Sequence, residues 1–167
     1  MSPVQFEVTT VATPEQVREA LTDFTDRRLQ TWNRTLDPKR YELRDHGEDW
    51  AVAREATPGS PFWVVARYDW SNPDVIRLTV QESSYGGAGE GSFRITPTAD
   101  GGSRVRVEWD NTGARSWQKL LLLLIHRGPM GRIVSRLWSS ALDRYAQSDD
   151  APLARRPRPP GEAAARD

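Results

Sequence analysis

Alternation opens the chain. Val4, Phe6, Val8 and Thr10 are separated by Gln5, Glu7 and Thr9, a period of two that predicts a half-buried strand. The period then changes. Thr13-Pro14-Glu15-Gln16 combines an N-cap threonine, a proline at the first helical position and a glutamine at the third, so a capping box should start a helix. Val17, Ala20, Leu21 and Phe24 follow at i, i+3, i+4 and i+7 and share one face of that helix. Thr25-Asp26 begins a second short helix that runs to about Trp32.

Beyond Lys39 the alternation returns and persists through six strands. Tyr41 and Leu43 lead to the turn Asp45-His46-Gly47-Glu48, and Trp50 and Val52 start the way back. Phe62 to Trp70 forms the next strand, which places Trp63 and Tyr68 on opposite faces. Ile76, Leu78 and Val80 alternate with Arg77, Thr79 and Gln81, and Phe93 and Ile95 follow a glycine-rich stretch. Asp100-Gly101-Gly102-Ser103 is a hairpin turn of a favoured kind. Val105, Val107 and Trp109 make the last inward row. From about Ser116 to Gln147 the pattern is helical, with Ile133, Leu137, Ala141 and Tyr145 in one row flanked by Val134, Trp138 and Leu142. Gly128-Pro129 should kink or split this helix.

The order is thus one strand, two short helices, six strands and a long helix. Short loops join antiparallel neighbours. The exposed face of such a sheet needs covering, and the long helix is the only element large enough to do it. The expected fold is α+β, with a curved seven-stranded antiparallel sheet around a C-terminal helix and a cavity where the two do not meet.

Several words of this sequence resemble the START-like, or SRPBCC, superfamily with its helix-grip fold, and within it the polyketide cyclase/dehydrase and lipid-transport proteins common in actinobacteria. They are Ala12-Thr13-Pro14-Glu15-Gln16-Val17 with Leu21-Thr22-Asp23-Phe24, then Tyr68-Asp69-Trp70-Ser71, Glu82-Ser83-Ser84, Gly101-Gly102-Ser103-Arg104-Val105 and Leu142-Asp143-Arg144-Tyr145. Their order and spacing carry the resemblance. It implies a hydrophobic cavity for lipids, polyketides or other apolar molecules. It implies no particular reaction, because the superfamily mixes enzymes, carriers and sensors.

Composition narrows the chemistry. The 167 residues fit one domain, expected over 1–147. Residues 148–167 read as a disordered Pro/Ala/Arg-rich tail: Ala151 to Asp167 holds four prolines and four arginines with one large apolar residue, Leu153, too little to offset ordering entropy. The full chain carries 23 basic and 23 acidic side chains. Setting aside the four tail arginines and the acids Glu162 and Asp167 leaves 19 basic against 21 acidic. That balance argues against a nucleic-acid binder. Absence of cysteine removes thiol and zinc-thiolate chemistry and suits a reducing, cytoplasmic setting. With only His46 and His126, neither a metal nor a cofactor is expected. The N-terminus lacks the pattern of a secretory signal.

Seven tryptophans stand out, because aromatic rings on both sheet and helix would stack on a flat ligand. The expected ligand-lining set is Trp32, Tyr41, Trp50, Val52, Arg54, Tyr68, Leu78, Val80, Glu82, Phe93, Val107, Trp109 and Leu121. Arg54 is placed inward by extending the Trp50 and Val52 row. Glu82 is placed inward by extending the Ile76, Leu78 and Val80 row, where it could orient a polar group or act as acid or base. No catalytic residue is assigned; His126 and His46 read as a cap and a turn residue. The leucine run Leu120 to Ile125 is too short to span a membrane. It should pack in the core, form a dimer contact, or touch a membrane surface, so monomer and homodimer both stand. A small hydrophobic molecule is the expected partner. A cofactor-independent cyclase, aromatase or dehydratase, and an interaction module built on the leucine-rich helix, are the alternatives.

Overall fold

The computed structural model describes residues 4–86, 88–110 and 129–148. Its strands are β1 (Val4–Thr10), β2 (Glu42–His46), β3 (Trp50–Ala56), β4 (Trp63–Asp69), β5 (Ile76–Ser83), β6 (Gly89–Pro97) and β7 (Ser103–Asp110). Its helices are α1 (Pro14–Thr22), α2 (Arg27–Thr31) and α3 (Pro129–Gln147). The strands form one antiparallel sheet in the order β1-β7-β6-β5-β4-β3-β2. Six of them run as a meander, and β1 closes onto β7 at the far edge. This is the helix-grip arrangement, with a curved open sheet holding the C-terminal helix.

Local sequence explains the elements. Thr13 caps α1 as expected: its Oγ1 accepts from the Gln16 amide, and the Gln16 side chain accepts from the Thr13 amide. The Asp100–Ser103 hairpin needs Gly101, whose φ of +86° lies where an L side chain is strained. Helix α3 spans Pro129–Gln147; the residues before it, on which the expected break also depends, lie outside the described residues. Its Ala141, Leu142 and Tyr145 are buried, whereas Ile133 is exposed.

The core lies between the inner face of the sheet and the three helices. Val8 of β1, Val105 and Val107 of β7, Phe93 of β6, Ile76, Leu78 and Val80 of β5, and Ala66 and Tyr68 of β4 form one cluster, against which the partly buried Phe6 of β1 packs. Ala12, Val17, Ala20, Leu21 and Phe24 of the α1 region, Trp32 after α2, and Ala141, Leu142 and Tyr145 of α3 close it. Helix α3 packs on β1, α1 and α2. Polar bonds fix it there: Thr10 Oγ1 and the Val11 amide donate to Asp143 Oδ1, at 2.6 and 3.0 Å, and Ser139 Oγ donates to the Thr9 carbonyl at 2.7 Å.

Two sequence expectations about facing are corrected. In β3 the inward row is Ala51, Ala53 and Glu55, not Trp50, Val52 and Arg54. The register pairs Ala51 with Tyr68 and Ala53 with Ala66, and directly opposite residues share a face. The bulkier row therefore lies on the outer face, where it finds its own cover. The Arg67 guanidinium sits 4.2 Å from the centre of the Trp50 ring, and Arg54 sits 4.5 Å from that of Trp63. The second correction is Glu82. A bulge lets Val65 face Glu82 while Ala66 faces Val80, so the extra residue, Gln81, breaks the alternation. Glu82 is exposed on the outer face, where Arg44 Nη1 donates to it at 3.1 Å.

Candidate functional site

Rings furnish the interior. Tyr68 and Phe93 stack with centroids 6.5 Å apart, and Phe93 lies 5.8 Å from Trp138 of α3. Trp138 also meets Phe6 edge-on at 6.0 Å and Trp32 at 4.9 Å. Phe24 contacts Tyr68 at 5.0 Å and stacks on Trp70 at 5.9 Å. The sheet supplies Tyr68 and Phe93 from adjacent positions across β4, β5 and β6, because Tyr68 pairs with Leu78 and Phe93 with Ile76. Trp109 needs a special neighbour. It lies opposite Gly91, and a Cβ there would fall 2.8 Å from its ring, so only glycine lets the indole lie flat across β6.

At the β3–β4 end this apolar lining meets a buried polar group that the sequence reading missed. Glu55 projects from the inner row of β3, and Arg28 comes down on it from α2. Arg28 Nε and Nη2 both reach Glu55 Oε1 at 2.8 Å, and the Tyr68 hydroxyl donates to Glu55 Oε2 at 2.5 Å. The Arg28 Nη1 group donates to the Leu21 carbonyl at 3.2 Å, and the guanidinium lies 3.9 Å over the Phe24 ring. Arg28 and Glu55 are only 5% and 9% exposed. Burial opposes the Arg28 charge, but the adjoining Glu55 carboxylate outweighs it and holds Arg28 above its ordinary range. Burial, then the Glu55 charge, pushes Tyr68 well above the usual phenol value. A signal for Arg28 was present in the sequence: it sits four residues before Trp32 and four after Phe24, on the apolar stripe of the helical segment.

Tyr41 flanks this group. It packs against the core, and its hydroxyl is buried with no hydrogen-bond partner. Burial raises it to about 12, with the Arg28 charge opposing and the Glu55 charge adding. Tyr85 and Tyr145 are raised as well, both chiefly by burial. All four tyrosines of the chain therefore hold their protons more tightly when folded than when unfolded. For such groups the unfolded chain loses protons first. Stability is thus retained below about pH 10 and falls as pH rises through the folded values, past about 12 for Tyr41. An absorbance titration should show little tyrosinate near pH 10 in the folded protein, and all four phenols titrating there in denaturant. Tyrosinate appearing at pH 10 without unfolding would contradict it.

Of the expected lining residues, Trp32, Tyr41, Tyr68, Leu78, Val80, Phe93, Val107 and Trp109 lie in or against the core cluster. Trp50, Val52, Arg54 and Glu82 lie on the outer face. Leu121, with the leucine run, Trp117 and His126, is outside the described residues. A cleft of about 180 Å³ reaches the inner face from the surface. Pro14, Glu15 and Arg18 of α1 form one wall and Pro73, Asp74 and Val75 the other, and the floor is Ile76, Phe93 and Ile95. Arg18 spans the mouth, donating to the carbonyls of Trp70, Asn72 and Pro73 at 2.6, 3.2 and 3.0 Å. The glycine-rich stretch is partly strand, since Gly89 and Gly91 belong to β6. Among the described residues there is no cluster suited to a metal ion and no helix long and apolar enough to cross a membrane.

Comparison with known proteins agrees with this geometry. The model of the polyketide cyclase/dehydrase and lipid transport family matches residues 1–147. No curated protein matches the chain by sequence. Among solved structures, a START superfamily protein from Mycobacterium smegmatis is similar with a TM-score of 0.65 at 14% identity, over 88% of this chain and 98% of that one. The Zhui aromatase/cyclase from Streptomyces sp. R1128 gives 0.60 at 19%, over 87% and 93%. Norcoclaurine synthase from Thalictrum flavum, in complex with dopamine and hydroxybenzaldehyde, gives 0.63 at 10%, over 93% and 88%. At these identities the likeness is one of fold.

Proposed function

The chain belongs to the polyketide cyclase/dehydrase and lipid transport family, and on that premise we propose that it binds a small hydrophobic, ring-containing molecule against the inner face of its sheet. One observation carries the reading: the cleft between α1 and the β4–β5 turn has Phe93 as part of its floor, and Phe93 belongs to the ring assembly that joins Tyr68 to Trp138. A ligand entering there meets aromatic faces, on which flat molecules stack. The lining set is Trp32, Tyr41, Tyr68, Leu78, Val80, Phe93, Val107 and Trp109.

Native mass spectrometry of the protein purified from its own host should reveal a co-purifying apolar molecule. Addition of a fatty acid or a flat aromatic should quench tryptophan fluorescence saturably and without turnover. A consistently empty protein that no such compound quenches would overturn the reading.

A cyclase- or dehydratase-type activity is the second reading, and the buried Glu55 carboxylate on the inner face favours it. Such an enzyme would work by holding a reactive chain in place, with acid–base help from a tyrosine or carboxylate. Product formation from a poly-β-ketone chain, lost on Tyr41→Phe with the fold intact, would separate this reading from simple binding.

A further inference from the structure

One cleft and one segment of this chain are matched. The cleft between α1 and the β4–β5 turn has an apolar floor of Ile76, Phe93 and Ile95 between two proline walls, Pro14 and Pro73. Its rim is acidic. Glu15 and Asp74 are exposed, and among the described residues neither carboxylate has a partner. Arg18, the cation at the mouth, directs both Nη groups onto the turn carbonyls. Residues 149–167 carry the complement. Leu153 is their single large apolar side chain, and Arg155, Arg156 and Arg158 follow it. The segment also starts beside the cleft's own helix. Asp143 Oδ1 accepts from the amide of Val11, three residues before Pro14, at 3.0 Å, and Gln147 follows Asp143 by about 6 Å of helix. Residues 149–167 reach up to about 65 Å when extended, against about 13 Å for the length of α1.

We infer that residues 152–158 dock back on this cleft, with Leu153 on the Phe93 floor and Arg155 and Arg156 against Glu15 and Asp74. A segment with one leucine builds no core of its own, but a surface already folded asks only that one side chain settle on it. Prolines at 152, 157, 159 and 160 restrict φ and so lower the entropy that docking removes. Surface ion pairs are weak. The tether supplies what they lack, because it holds the segment at an effective concentration on the order of millimolar. The contact goes beyond the binding reading and stands without it. Where that reading also holds, tail and ligand exclude each other at the cleft.

The chain has no cysteine, so Pro159→Cys gives a single attachment point for a nitroxide on the isotope-labelled full chain. The amide signals of Glu15, Arg18, Asp74 and Val75 should then lose intensity relative to the rest of the surface. Adding Leu153→Asp should return that intensity to the level tethering alone gives. Glu15→Gln with Asp74→Asn should weaken the loss, as should salt at 1 M, where screening acts within about 3 Å. Equal loss in the Leu153→Asp protein would overturn the inference, since the tether alone would account for it. Loss concentrated on another surface, or no selective loss, would overturn it too. Loss in nitroxide-free labelled chains mixed with nitroxide-bearing ones would put a second copy in the cleft instead. None of these measurements uses a ligand, so their failure leaves the binding reading untouched.

Discussion

Replacing Glu55 with glutamine is expected to destabilise the protein by about 3–5 kcal/mol, because it strands the buried Arg28 charge. Glutamine keeps the volume and can still accept from Tyr68. What it lacks is the negative charge that Arg28 Nε and Nη2 share at 2.8 Å. Urea denaturation should show a lower midpoint with an unchanged slope, the mark of lost stability rather than an altered transition. For a chain of this length the melting temperature should fall on the order of 10 °C. The companion experiment removes the whole group. Arg28→Met with Glu55→Met and Tyr68→Phe should recover most of the loss, since a buried pair exchanged for apolar side chains is often neutral. A single Glu55→Gln variant as stable as the parent would show that Arg28 reaches water, against its 5% exposure.

The second large effect is expected at Trp138. This side chain joins helix to sheet, meeting Phe6, Trp32 and Phe93 at once. Trp138→Ala should cost about 3 kcal/mol through lost contact and the space left behind. Alanine is the best helix former, so the loss belongs to packing and not to a weakened helix. Trp138→Phe should recover part of it. Chemical denaturation of the three proteins decides the matter: equal midpoints for parent and alanine variant would mean that α3 is held by its polar bonds to β1 alone.

Most of the architecture was legible. Alternation marked β1 and β5 because one face of each is wet. Thr13 and Gln16 announced α1 because capping is a short-range bond between near neighbours. The face of β3 was not legible, for a physical reason. Both of its rows contain apolar residues, and the bulkier row, Trp50 and Val52, looked like the core. The interior had no room for it: Tyr68 and Trp32 already supply the bulk, so Ala51 and Ala53 fit inward and Glu55 goes in beside them. The candidate site was hidden by the same fact, since Glu55 and Arg28 are far apart in sequence and neither looks buried alone. The β5 bulge that turns Glu82 outward depends on pairing with β4, which no local pattern in β5 encodes.

The outer-face arginine–tryptophan stacks have a spectroscopic consequence. Trp50 and Trp63 are half-buried and away from the core, whereas Trp32 is buried and Trp109 and Trp138 pack against the core. Indoles near water emit at longer wavelength than indoles in an apolar surround. A ligand held inside would silence the blue part of the spectrum and spare the red part. Quenching should then stop short of completion, and the residual emission should move to longer wavelength as the site fills. Loss of the red part instead, with the residual emission moving to shorter wavelength, would betray a molecule adhering to the convex surface, where Arg54 and Arg67 hold Trp63 and Trp50.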